Sequence, residues 1–168
     1  MLSAMAEAEP KLARGTRLTV GRVNALGPAL LSISTPAGQA QRIKMTNETV
    51  VVKGAVGSFD DVYAGARVVV KKLPGAMKDA AEVVVLPAES HHGLPVVAVD
   101  ADSMTLKNLL GELFTVNTAG AQIDTTRLAT IGEITMGSTI FVRARTADSR
   151  SLAADEIIVL PDDTAFGS

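Results

Sequence analysis

The chain predicts an all-β protein built as two tandem small barrels, with two β-sandwich units as the alternative, and three observations carry that reading. Residues 80–87 (AAEVVVLP) return as residues 154–161 (ADEIIVLP), with five identities and two Val/Ile exchanges. Apolar and polar residues alternate with a period of two through most apolar runs, the signature of half-buried strands. The apolar residues are mostly Val and Ala, with no Trp and only Phe59, Tyr63, Phe114, Phe141 and Phe166 as aromatics. Small, β-branched side chains suit a thin sandwich or a narrow barrel.

A repeat fixes the unit of folding before any propensity argument starts. Residues 80–87 and 154–161 lie at an offset of 74, while residues 62–70 match residues 134–142 at an offset of 72. One loop-sized insertion reconciles the two. At the front, Val23-Asn24-Ala25 aligns with Val99-Asp100-Ala101. These registers give a flexible leader over 1–16, a first repeat over 17–87, a linker over 88–93, a second repeat over 94–161 and a C-terminal tail over 162–168.

The leader holds Ala4-Met5-Ala6 followed by Glu7-Ala8-Glu9-Pro10, which looks like a small-residue cleavage site and the acidic start of an exported protein, without the basic segment that precedes such a site. A periplasmic or secreted location is the expectation, with a cytoplasmic one left open.

In the first repeat, residues 18–23 (LTVGRV), 31–34 (LSIS) and 41–45 (QRIKM) alternate as strands. Gly27-Pro28 and Pro36-Ala37-Gly38 supply the turns between them. Val50-Val51-Val52, residues 67–72 and residues 82–86 are denser apolar runs that complete five or six strands. The second repeat follows with strands at 96–100, 105–109, 113–117, 139–145 and 156–160. Along residues 140–145, Ile140, Val142 and Ala144 share one face, and Phe141, Arg143 and Arg145 the other. Residues 60–65 and 130–137 precede the longest strand of each repeat, and a short helical turn ending at Gly65 or Gly137, where φ can be positive, accounts for those glycines.

Five or six short strands in a small repeat, with a corner turn before a long strand, suit a closed barrel of the OB-like kind. The pattern resembles the OB-like β-repeat families of unknown function found in exported bacterial proteins. The resemblance rests on Gly21-Arg22-Val23, Gly65-Ala66-Arg67-Val68 and residues 80–85, with counterparts at 137–140 and 154–159, and it departs at Val97, which stands where the first repeat has Gly21. It covers most of the chain. What it implies is a fold, since its motifs are structural glycines and strand residues.

At 47% apolar and 20% charged residues the chain has ample surface to bury and no composition of global disorder. The absence of Cys excludes disulfides, thiol nucleophiles and thiolate metal sites. No run approaches the roughly 18 to 20 apolar residues of a membrane helix.

Few polar groupings point to chemistry. Glu89, His91 and His92 combine a carboxylate with two imidazoles, the donors of a zinc, copper or nickel site. Consecutive side chains of an extended segment point to opposite sides, however, so both rings reach one ion only through a special turn. Asp100 and Asp102 lie two apart without the glycine turn of a calcium loop. Ser90 adjoins the histidines, but no nucleophile elbow accompanies it. Gly54-Ala55-Val56-Gly57 lacks the rest of a phosphate loop, and no cofactor motif is present.

Net charge is −2, yet residues 18–87 hold eight basic and five acidic side chains, and residues 94–161 hold five and eight. Arg42, Lys44, Lys53, Arg67, Lys71 and Lys72, all on expected strands, form a candidate basic patch. The favoured reading is a non-catalytic binding or assembly module that presents loops or strand edges to a protein or polysaccharide, self-association into a homo-oligomer included. Two alternatives stay open: a small metal-dependent hydrolase with its site between the repeats at Glu89, His91, His92, Asp100 and Asp102, and weak binding of single-stranded nucleic acid or another polyanion by the first repeat. Nucleic acid is disfavoured by the scarcity of aromatics and of net positive charge.

Overall fold

The computed structural model describes residues 15–73 and 76–167, with only the backbone of Ala76 and Met77. The expected leader lies outside these residues apart from Gly15 and Thr16, and so does the segment resembling a cleavage site. Twelve strands follow in order: β1 (Thr16–Leu26), β2 (Leu30–Ser34), β3 (Ala40–Lys44), β4 (Val50–Val56), β5 (Arg67–Leu73), β6 (Ala76–Val85), β7 (Leu94–Val99), β8 (Ser103–Lys107), β9 (Leu113–Asn117), β10 (Gln122–Ala129), β11 (Thr139–Thr146) and β12 (Ser151–Val159). Two 3-10 turns, Phe59–Asp61 and Ile131–Glu133, are the helical segments among the described residues. The protein is all-β, and among the described residues no helix is long and apolar enough to cross a membrane.

The strands gather into two compact units that do not follow the expected boundaries at 17–87 and 94–161. A contiguous unit spans residues 55–127, and a split unit joins residues 15–54 to residues 128–167. Each therefore takes the front of one expected repeat and the back of the other. The reason lies in the pairing: β1 runs antiparallel to β11, from Thr16↔Arg145 to Arg22↔Thr139. Its counterpart β7 pairs with β5, through Arg67↔Pro95 and Val68↔Leu94. The segment 88–93, expected as a linker between barrels, instead joins β6 to β7 within the contiguous unit.

In the split unit, β1 pairs with β2, β2 with β3, β3 with β12, β12 with β11 and β11 with β1, which closes a five-stranded barrel. Closure of this Greek-key kind is that of an OB barrel. Strand β4 adds to it in parallel along β12, from Glu156↔Val50 to Val159↔Lys53. In the contiguous unit the ring runs β5, β7, β8, β9 and β6, with β10 parallel along β6.

Alternation drives both cores. Val23, Leu31, Ile33, Ile43, Ile140, Val142, Ala144 and Ile157 fill the split unit, and Val68, Val70, Val83, Val85, Leu94, Val96, Leu106 and Val116 fill the contiguous one. Each fully buried Val, Leu or Ile contributes about 1.5–3 kcal/mol before the entropy of ordering it is set against that. The inward set Ile140, Val142 and Ala144 is the one that alternation predicts.

The units carry matching backbone detail. Val23 and Val96 each precede a β-bulge. Gly137 N–H donates to Val23 O and Gly65 N–H to Val96 O, both at 2.8 Å. Val23 thus corresponds to Val96, at an offset of 73, and not to Val99, which stands exposed beside the β7–β8 turn. The similarity of Val23-Asn24-Ala25 to Val99-Asp100-Ala101 joins a bulge within β1 to the turn after β7. Leu94 then occupies the place of Gly21, where a Cβ would lie 2.8 Å from Ser34 O.

Each 3-10 turn is opened by a capping box, Ser58 with Asp61 and Thr130 with Glu133. Neither runs on to the glycine: Val62 and Ile134 return to extended backbone, and Gly65 (φ 98°) and Gly137 (φ 83°) make a separate turn.

Candidate functional site

The six candidate basic residues fall into two sets. Arg42 and Lys44 on β3 and Lys53 on β4 are exposed in the split unit, where Lys44 Nζ donates to Asp148 Oδ2 at 3.0 Å. That contact and the N–H of Arg150 hold the Asp148 carboxyl well below the usual aspartate range, the backbone contact contributing most. Arg67, Lys71 and Lys72 on β5 belong to the contiguous unit and have three different tasks. Arg67 Nε donates to His92 O at 2.8 Å and fixes the loop after β6. Lys71 is buried, which lowers its pKa from the ordinary 10.5, and it stands across from Glu82. Lys72 Nζ sits 5.8 Å from the centre of the Phe114 ring, a cation-π contact.

Charge also redistributes. Residues 55–127 hold six basic and nine acidic side chains, and residues 15–54 with 128–167 hold eight and seven. The units thus carry net charges of −3 and +1, so the equal and opposite charges of segments 18–87 and 94–161 do not carry over to them.

Glu89 and His91 are exposed in the β6–β7 loop, and His92 N–H donates to Ser90 Oγ at 3.1 Å. Among the described residues no group of three His, Asp or Glu side chains is arranged to hold a metal ion. Asp100 Oδ1 accepts from the N–H of Ala101 at 2.8 Å within the β7–β8 turn, and the backbone carbonyl of Asp102 accepts from the N–H of Thr118 at 2.8 Å.

The feature that sets the units apart is the β8–β9 hairpin. Its turn is built like that between β2 and β3: Asn108 N–H donates to Glu112 O and Gly111 N–H to Asn108 O, as Thr35 N–H donates to Gln39 O and Gly38 N–H to Thr35 O. Gly111 (φ 84°) and Gly38 (φ 82°) take the same left-handed conformation. With the backbone held constant, the side chains differ. Leu109, Leu110 and Leu113 stand where the split unit has Pro36, Ala37 and Ala40, and they are 50%, 62% and 63% exposed. The turn does not need leucine, and three at one tip form an apolar patch of the kind that marks contact surfaces.

The patch continues into a groove of about 650 Å³ lined by Lys72, Lys78, Glu112, Leu113, Phe114 and Thr115. It opens at the seam between β6 and β9, where Asp79↔Asn117 is the one bridge among the described residues. Asn117 Nδ2 reinforces that bridge by donating to Asp79 Oδ1 at 2.8 Å. The matching seam of the split unit is closed by Ser151↔Arg42, Leu152↔Ile43 and Ala153↔Lys44. A cause is visible in the β5–β6 hairpin, whose register shifts twice, at Lys71/Lys72 and at Lys72/Leu73, against once in β11–β12. Bulges bend and twist a strand pair, and the additional one lies in the hairpin beside this seam.

A smaller, polar pocket of about 330 Å³ lies in the split unit, with Arg22, Ser34, Thr35, Thr139 and Asp162 on its walls. Neither that pocket nor the leucine tip is visible to a search for catalytic motifs. The signal for the tip was present, because Asn108-Leu109-Leu110-Gly111 and Thr35-Pro36-Ala37-Gly38 align at an offset of 73, and an apolar pair in a turn departs from turn chemistry. Comparisons with protein-family models, with curated proteins and with solved structures find no match to this chain.

Proposed function

We propose that the protein is a non-catalytic binding module whose contact element is the leucine-tipped β8–β9 hairpin, presented to a partner protein. The observation that carries this reading is the substitution of Leu109, Leu110 and Leu113 for Pro36, Ala37 and Ala40 on one and the same turn. Exposed leucines contribute nothing to the core beneath them, so a role outside the barrel accounts for their place. The apolar tip, flanked by Lys72 and Lys78, matches a protein surface better than a polysaccharide, which offers hydroxyls to polar and aromatic side chains.

The test uses a photo-crosslinking residue placed at position 110 and, as the internal control, at position 37. One recurrent protein adduct from position 110, absent from position 37 and competed by the unmodified protein, supports the reading. Equal adducts from both positions, or none from position 110, sink it.

A further inference from the structure

We infer that the polar pocket of the split unit binds a small molecule carrying both a cationic nitrogen group and a carboxylate, the chemistry of a basic amino acid. The site lies apart from the leucine-tipped hairpin and does not depend on that reading.

The contiguous unit shows what belongs in such a place. Residues 87–92 and 161–166 make the same turn. Ser90 N–H donates to Pro87 O at 2.9 Å, and Thr164 N–H to Pro161 O at 3.1 Å. One step on, His92 N–H donates to Ser90 Oγ at 3.1 Å and Phe166 N–H to Thr164 Oγ1 at 3.2 Å. Before the turn, Leu86 N–H donates to Arg67 O and Leu160 N–H to Thr139 O. Thr139 therefore occupies the place of Arg67. In the contiguous unit the Arg67 guanidinium fills the space between strand and loop, with Nε donating to His92 O at 2.8 Å and Nη2 to Gly93 O at 3.4 Å. Thr139 is too short to do so, and its Cγ2 lies 3.4 Å from where a Cβ of Gly167 would stand. The carbonyl of Phe166, which matches that of His92, accepts no hydrogen bond among the described residues. A place that holds a cation in one unit is, in the other, a pocket of about 330 Å³.

The walls supply both charges that a ligand would need to meet. Strand β1 sets Arg22 directly across from Ser34 of β2 on one side and Thr139 of β11 on the other. Such neighbours on one face stand about 4.5–5.5 Å apart between Cβ atoms, so a guanidinium lies between two hydroxyls. Asp162 faces the same pocket from the segment after β12. At the matching positions the contiguous unit has Pro95 and Ala88, which carry no charge. The side chains of Arg22 and Asp162 make no hydrogen bond or ion pair among the described residues, with each other or with anything else. A cation on the ligand meets Asp162 and the free carbonyl, where the Arg67 guanidinium sits in the contiguous unit. Its carboxylate meets Arg22, whose planar fork can donate two parallel N–H bonds. The buried ring of Phe166 pins the loop beneath, so the pocket is formed before the ligand arrives.

The full-length protein is titrated with L-arginine and followed residue by residue by NMR. Four comparison ligands accompany it: N-acetylarginine, whose α-ammonium is blocked; agmatine, which lacks the carboxylate; succinate, which lacks the cation; and glucose. We expect L-arginine to move the amides of Arg22, Thr139 and Gly167 saturably, with no change at Arg67 or His92, and agmatine and succinate to bind about tenfold or more weakly. N-acetylarginine separates two sources of the same chemistry. Binding equal to that of arginine assigns the site to a basic residue at a peptide's C-terminus, and loss of binding assigns it to the free amino acid. Arg22→Ala and Asp162→Asn should each weaken arginine about tenfold, and Thr139→Arg, which restores the cation of the contiguous unit, should abolish binding. An unchanged melting curve confirms that each variant is folded. Agmatine or succinate binding as tightly as arginine, glucose binding in its place, or no saturable shift with arginine overturns the proposal. The adduct at position 110 forms or fails independently of all these outcomes.

Discussion

The rings of Phe141 and Phe166 meet edge to face, 5.9 Å between centroids and 81° between planes. Phe141 lies on β11, and Phe166 comes from the segment expected as a C-terminal tail. Both are almost fully buried. The tail turns back through Thr164 N–H to Pro161 O at 3.1 Å, and Phe166 N–H donates to Thr164 Oγ1 at 3.2 Å. Phe166→Ala should destabilise the protein by about 3–5 kcal/mol, the cost of emptying an aromatic site. Urea denaturation measures it, and a loss below about 1 kcal/mol would show that the ring does not hold the tail in place.

Gly93 has φ 72°, and a Cβ there would lie 2.7 Å from Val68 O. Gly137 has φ 83° with open space around it. Gly93→Ala should therefore cost more than the about 1–2 kcal/mol of a left-handed alanine, which is all that Gly137→Ala incurs. Equal melting temperatures for the two variants would contradict the close approach of the β6–β7 loop to β5.

Arg143 and Glu156 stand opposite each other on β11 and β12, with Nε and Oε1 3.9 Å apart and both side chains buried. Removing one member of such a pair leaves the other charged without its counterpart. Arg143→Met alone is expected to destabilise by about 3–5 kcal/mol, and adding Glu156→Leu to recover most of that loss. A double-mutant cycle in guanidinium reads the coupling, and strictly additive losses would rule the pair out as a unit.

Asp148 links the β11–β12 turn to Lys44 on β3. Its pKa is lowered in the folded state, so as the pH falls the unfolded chain takes up this proton first. The stabilisation is complete above the ordinary aspartate value of 3.8 and is lost as the pH drops from there towards the folded value. Wild type and Asp148→Asn should differ in denaturation midpoint at pH 6 and converge on acidification; a difference that grows with acid would reverse the assignment.

The leucine tip should be silent in stability. Leu109→Ala with Leu110→Ala removes exposed surface and is expected to shift unfolding by less than about 0.5 kcal/mol. A cooperative loss of several kcal/mol would mean that these side chains serve the barrel and not a partner.

Much of this architecture was legible. Alternation placed most strands, and the offsets of 72 and 74 set β5 against β11 and β6 against β12, which hold the cross-strand pairs Lys71↔Glu82 and Arg143↔Glu156 at matching positions. Strand β10 was not expected, because Thr125, Thr126 and Arg127 dilute the apolar period and its buried Asp124 reads as a turn residue. The composition of each unit was not legible either. Repeats with the same strand pattern can close on themselves or on each other's halves, and local sequence carries no mark of which. The burial of Lys71 was not legible for a similar reason, since a lysine on a strand looks solvated until the element covering it is known.

The split unit has a consequence for how the protein is made. Strands β1 to β3 leave the ribosome with no native partner beyond one another, because β11 and β12 lie about a hundred residues downstream, on the order of 5–20 s of synthesis. The contiguous unit can close as soon as β10 has emerged. Until the last strand arrives, the edges of β1 and β3 that β11 and β12 later cover are open to pairing with another copy.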